Sequence, residues 1–153
     1  MTRSTWDTVW DEVALAVSRR SSCDRAQVGA VLVKDQRVVS TGYNGPARGY
    51  PGNTDLGCSS WCHRASGKPD LTAGYGFACP SIHAEANVLL HASRSETEGA
   101  TMYVTHAPCA DCAKLISNSG VARVIMLQQV EPHRPDPVPY LESCGLEIMV
   151  LAI

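Results

Sequence analysis

Along the first twenty residues, apolar positions return at helical spacing. Trp6, Val9, Trp10, Val13 and Val17 fall on one stripe, which predicts an amphipathic helix with Asp11 and Glu12 on its wet side. The period then shortens. Residues 28–33 and 38–41 are Val-rich runs that predict two strands, joined by a four-residue hairpin loop over 34–37. Residues 43–80 show no clear period and contain seven Gly and four Pro. A structureless loop of that length is unusual inside a compact domain, so something must hold it.

Beyond this loop the pattern resumes. Residues 82–93 predict a helix with Ser81 as N-cap, 101–105 a strand, 108–119 a helix opened by proline, and 122–128 a strand. A Pro-rich connection over 129–139 leads to a short helix over 140–144 and a last strand over 147–153. Strands separated by helices predict an α/β fold, with partly parallel pairing and helices on both faces of one sheet. No internal repeat appears, and residues 1–153 predict a single domain.

Composition narrows the class. The chain has 153 residues, 44% hydrophobic and 18% charged, with net charge −2, which is ordinary for a globular protein. Its ten Arg and three Lys form no basic stripe of the kind that binds polymeric nucleic acid, although a few Arg forks suit small anions. No apolar run reaches the length of a membrane span, and residues 1–20 lack the order of a signal peptide, so a cytoplasmic protein without a membrane partner is predicted. Thiols stay reduced there. Seven Cys, an odd number, therefore point to metal binding more than to disulfides.

Two fragments carry the chemistry: His83-Ala84-Glu85 and Pro108-Cys109-Ala110-Asp111-Cys112. Cys109 and Cys112, three apart at a helix start, present both sulfurs on one side, where the helix N-terminus favours thiolates. With His83 they make three ligands for Zn²⁺ and leave the fourth position to water, as in a catalytic site. Zinc brings the pKa of that water down to about 7, so that hydroxide is available to attack an amidine-like carbon. Glu85, two residues from His83, suits the task of carrying protons. Positions two apart diverge on an ideal helix, so the pairing requires His83 to sit at the edge of the first turn. A lone Cys-x-x-Cys reads equally well as structural zinc or a redox pair. Together the fragments match the His-x-Glu and Pro-Cys-x-x-Cys signature of zinc nucleobase deaminases.

The likeness runs further. Residues 22–30, the segment Gly42-Tyr43-Asn44-Gly45-Pro46-Ala47-Arg48-Gly49, His83-Ala84-Glu85-Ala86-Asn87, Met102-Tyr103-Val104-Thr105 and residues 141–147 resemble the deoxycytidylate (dCMP) deaminases, in order along nearly the whole chain. The resemblance implies a cytidine-deaminase-like α/β/α sandwich around a mixed five-stranded sheet. It implies hydrolysis of dCMP to dUMP and ammonia, and a homo-oligomer, often a hexamer. Asn44 would hold the deoxyribose and the Ala84 backbone N–H the pyrimidine carbonyl. Many members respond to dCTP and to dTTP with Mg²⁺, and Arg25, Gly45 and Arg48 are the candidates for phosphate or effector contact. A structural zinc in some members implies a second site here from Cys23, Cys58 and Cys79, completed by Cys62 or His63. Cys144 is left as a small core residue.

His106-Ala107 departs from the two larger apolar residues usual before Pro-Cys, at a position bordering the substrate. Alternative readings are deamination of a 5-modified dCMP, a free (deoxy)cytidine, guanine, or adenosine in tRNA. A zinc-binding module without catalysis is the alternative from another class.

Overall fold

The computed structural model describes residues 2–50, 56–58, 62, 79–127 and 134–151. His63 and most of the long loop lie outside these residues, as do residues 129–133 of the Pro-rich connection.

Helix α1 (Trp6–Ser18) starts at Thr5, whose side chain accepts from the Thr8 N–H. Strands β1 (Gly29–Lys34) and β2 (Arg37–Tyr43) form an antiparallel hairpin in which Lys34 pairs with Arg37. The predicted four-residue loop is thus a two-residue turn. Asp35 and Gln36 both take positive φ, +49° and +57°, which matches the twist of the flanking strands. Two-residue strands β3 (Gly45–Pro46) and β4 (Ser81–Ile82) pair with each other and close the two ends of the long loop. Then follow α2 (Ala84–Leu90), α3 (Arg94–Thr97), β5 (Thr101–Val104), α4 (Ala110–Ser119), β6 (Arg123–Met126), α5 (Val138–Ser143) and β7 (Glu147–Val150).

The main sheet has the order β2-β1-β5-β6-β7. β1 runs antiparallel to β2 and β5, while β5, β6 and β7 are mutually parallel. Alternation along the strands divides the core in two. Ala30, Leu32, Met102, Val104, Val124 and Met126 pack under α2, α4 and α5, and Val31, Val33, Tyr103 and Ile125 pack under α1. This is the mixed five-stranded sheet between helices that the sequence implies.

Trp10, Val13 and Val17 of the apolar stripe pack partly buried against the core under α1, but the fully buried line of the helix lies beside them. Its buried residues are Asp11, Ala14 and Ser18, and Trp6 is 42% exposed, stacked on Trp10 at 5.2 Å. Gly29 explains the rotation: a Cβ there would overlap the Ala14 carbonyl oxygen and approach the Ser18 backbone N. The helix therefore lies directly on β1, and only small side chains fit between them. Asp11 lies on the same stripe and is buried with them. Beside it, Asp7 accepts both guanidinium arms of Arg123 at 3.1 Å and the Tyr103 hydroxyl at 2.7 Å. Cys144 also departs from expectation, since it ends α5 exposed rather than in the core.

Candidate active site

Both chemical fragments sit where a chain segment enters a helix. His83 is the N-cap of α2, with extended backbone (φ −70°, ψ 152°), and Ser81, the expected cap, belongs to β4 instead. Because His83 stands outside the helix and Glu85 in its first turn, the two side chains can reach one place. Cys109 is the N-cap of α4, and its sulfur accepts the Cys112 N–H at 3.5 Å. That capping bond fixes the two sulfurs side by side. Helix α2 is in turn held against β2: Ser40 donates to the Val88 carbonyl at 2.9 Å, and Asn87 donates to the Tyr43 carbonyl at 2.8 Å. Gly42 permits this approach, since a Cβ there would overlap the Ala84 carbonyl oxygen.

His83 Nδ1 lies 3.4 Å from the Cys109 sulfur and 3.5 Å from the Cys112 sulfur. A tetrahedral zinc, bonded at about 2.3 Å to sulfur and about 2.0–2.1 Å to nitrogen, sets its S···N separations at about 3.5 Å. The donor set fits zinc. Among the described residues this trio is the one group of His, Cys, Asp and Glu whose ligand atoms converge within 4.8 Å. Its electrostatics agree. The Cys112 thiol and the His83 ring stabilise a thiolate at Cys109, bringing its pKa down to about 3 against the cost of burial. Contact with that thiolate raises the pKa of His83. The neighbouring Cys109 sulfur, burial and Glu85 push Cys112 the other way. Two adjacent sulfurs ionise together only with a cation between them, which is what a divalent metal supplies.

Glu85 is 4% exposed, and burial raises its pKa although Cys112 and His83 favour the charged form. A cavity of about 190 Å³ is lined by His83, Ala84, Glu85 and Cys109 on one side and by Arg25, Asn44, His106 and Arg134 on the others. Asn44 is fixed by the backbone: its Oδ1 accepts from the Val28 N–H at 2.8 Å and its Nδ2 donates to the Ala26 carbonyl at 2.9 Å. Cys23, Cys58, Cys62 and Cys79 line the same cavity. The Asp24 N–H donates to the Cys58 sulfur at 3.2 Å, burial pushes the Cys58 thiol up to about 11, and burial also raises Cys79.

The three candidate phosphate contacts separate. Arg25 lines this cavity, whereas Gly45 and Arg48 line another of about 640 Å³ together with Arg19, Arg20 and His91. Sequence reasoning missed Arg134 at the first cavity and Arg19 and Arg20 at the second. None lies in a motif, and loop and helix-end arginines carry no periodic signal.

A His-Cys-Cys donor set beside a buried carboxyl, at two helix starts packed on a mixed sheet, fits a zinc-binding site. Residues 4–128 match the model of the cytidine and deoxycytidylate deaminase zinc-binding region. The chain is 44% identical over 128 residues to the deoxycytidylate deaminase of Mycobacterium phage D29, covering 82% of this chain and 96% of that protein. It is 33% identical over 165 residues to the deoxycytidylate deaminase of Enterobacteria phage T2, covering 90% and 87%. Among solved structures, the dCMP deaminase of cyanophage S-TIM5 in complex with dCMP and dUMP superposes with a TM-score of 0.74 at 24% identity, covering 99% of this chain and 100% of that one. The chain belongs to the cytidine and deoxycytidylate deaminase family.

Proposed function

We propose that this chain, acting as a single deaminase domain, hydrolyses dCMP to dUMP and ammonia. His83, Cys109 and Cys112 hold the catalytic zinc, and Glu85 moves the protons. The supporting observation is the buried Glu85 carboxyl beside a donor set of zinc dimensions, in a chain 44% identical to a deoxycytidylate deaminase. When bound, zinc supplies the Lewis acidity that makes hydroxide available near neutral pH.

The remaining steps belong to the protein. A Glu85 carboxylate oxygen takes the proton of the attacking water. It delivers that proton to ring N3, then takes the proton of the added hydroxyl and passes it to the departing amino group, and burial, which favours its protonated form, suits delivery. The Ala84 N–H, in the first turn of α2 and so without an intrahelical acceptor, holds the pyrimidine carbonyl. Asn44 has used one amide proton on Ala26 and retains another for a deoxyribose oxygen. Arg25 faces the 5′-phosphate.

A second zinc on Cys23, Cys58 and Cys79, with Cys62 or His63, would order the long loop. The four cysteines line one cavity, with Cys58 against Cys23 and Cys79 against Cys62, which supports it, although no three of their sulfurs lie within 4.8 Å of one another. Metal analysis should then find two zincs per chain, and Cys58→Ser should remove one. The 640 Å³ cavity, with Arg19, Arg20, Arg48 and the Gly45 backbone, suits a dCTP or dTTP effector with Mg²⁺. Leu90, 72% exposed on α2 beside that cavity's Asn87 and His91, suits burial in a homo-oligomer such as a hexamer. No helix among the described residues is long and apolar enough to cross a membrane, in keeping with a cytoplasmic enzyme.

Ammonia release from dCMP, 5-methyl-dCMP, 5-hydroxymethyl-dCMP, deoxycytidine and guanine tests the assignment. dCMP should give the highest kcat/KM. Preference for deoxycytidine or guanine would refute the nucleotide reading while leaving the zinc chemistry standing.

A further inference from the structure

The second cavity carries a titratable ring that no step above uses. His91 ends α2 as its C-cap and lines this cavity of about 640 Å³. Its Nδ1 lies 2.8 Å from the Asn87 carbonyl oxygen, which also accepts the His91 backbone N–H at 3.2 Å. A carbonyl oxygen has lone pairs and no proton to give, so the ring nitrogen is the donor. Neutral His91 is therefore the Nδ1–H tautomer, and its bare nitrogen is Nε2, across the ring from the helix. The base of this arrangement is fixed, because the Asn87 side chain donates to the Tyr43 carbonyl at 2.8 Å and ties α2 to β2.

Charges around the cavity have one sign. Arg19 caps the end of α1, Arg20 follows it, Tyr43 ends β2 and Arg48 follows β3. Arg20 and Arg48 also hold contacts within the protein, and their charge reaches the cavity all the same. No carboxylate lines it among the described residues. The acids that follow His91 in the chain are engaged elsewhere, Glu96 by the Ser93 N–H at 2.7 Å and Glu98 by Arg94 at 3.3 Å. A phosphate oxygen brought here meets guanidinium charge and, at His91, a lone pair that repels it. A proton on Nε2 turns that repulsion into a charge-assisted hydrogen bond.

We infer that the second cavity binds a nucleotide polyphosphate together with one proton, taken from solvent onto Nε2 of His91, which then donates to a phosphate oxygen. The inference rests on the effector reading of this cavity and adds a regulation to it. Binding tightens as pH falls, because the bound state holds a proton that the free state lacks.

Titration calorimetry of the zinc-replete protein with dCTP, while dUMP saturates the catalytic cavity, reads affinity and protons together. Repetition in buffers of different ionisation enthalpy counts the protons. Subtracting His91→Gln cancels those exchanged by dCTP itself, and the difference should approach one proton taken up at its peak. At pH 6 the wild type should bind dCTP about 10- to 100-fold more tightly than His91→Gln, the worth of a hydrogen bond to a charged group. By pH 8.5 that gap should close, which a merely structural role for the ring would not produce. Nitrogen–proton spectra should show His91 as the Nδ1–H tautomer in the free protein at pH 8.5 and doubly protonated with dCTP at pH 6.

An Nε2–H tautomer in the free protein would overturn the inference. So would a gap between wild type and His91→Gln that is the same at pH 6 and pH 8.5, with the effector reading left standing. If the dUMP-saturated wild type binds no dCTP at pH 6, the effector reading fails first and the inference with it.

Discussion

Asp11 offers a stability measurement independent of the active site. Its side chain is 4% exposed, and neither carboxylate oxygen has a hydrogen-bond partner among the described residues. One turn earlier, Asp7 carries negative charge that Tyr103 and Arg123 hold below its ordinary pKa against the effect of burial. Burial first, and then the Asp7 charge, push the Asp11 pKa up from 3.8 to about 6. Above pH 3.8 the unfolded chain has released this proton while the folded chain retains it. Unfolding therefore releases a proton between pH 4 and 6, and stability falls as pH rises through that window, levelling above it. The displacement from 3.8 to about 6, at about 1.4 kcal/mol per pH unit, amounts to about 3 kcal/mol.

Asp11→Asn keeps the shape and removes the titration. Urea unfolding of both proteins by circular dichroism, at half-unit steps from pH 4 to 8, should show the variant gaining about 3 kcal/mol on the wild type by pH 7. Acid effects on the zinc ligands are common to both proteins and cancel in the difference. A difference that stays constant across this range would refute the account of Asp11 as a buried, unpartnered carboxylate.

Other consequences are more local. Glu85→Gln should retain zinc by metal analysis and lose about 10²- to 10⁴-fold in kcat, the usual worth of a positioned proton carrier. Cys109→Ala removes both a ligand and the N-cap of α4, so zinc content should fall by one per chain and the melting temperature should drop. Gly42→Ala should cost about 1–3 kcal/mol or more by forcing α2 from β2. Because α2 carries Glu85 and follows His83, it should also lower kcat, measurable by ammonia release at saturating substrate.

The amino-acid order alone singled out the candidate zinc ligands and proton carrier. His83 and Glu85 lie two apart, Cys109 and Cys112 three apart, and each pair is assembled by a single helix start, so local geometry sufficed to read them. The strands at 29–34 and 101–104 were legible for a similar reason, since they are short apolar runs buried on both faces. Tertiary packing decided the rest. The buried face of α1 went to Asp11, Ala14 and Ser18 because Gly29, eleven residues beyond the helix, admits close approach only by small side chains. Ser81 joined a strand pair with Gly45 and Pro46, far away in sequence, rather than capping a helix. Arg25 and Arg48, alike as isolated cations, were assigned to different cavities by the path of the backbone between them. Such outcomes depend on which surfaces meet across the sheet, and no spacing within one segment encodes that.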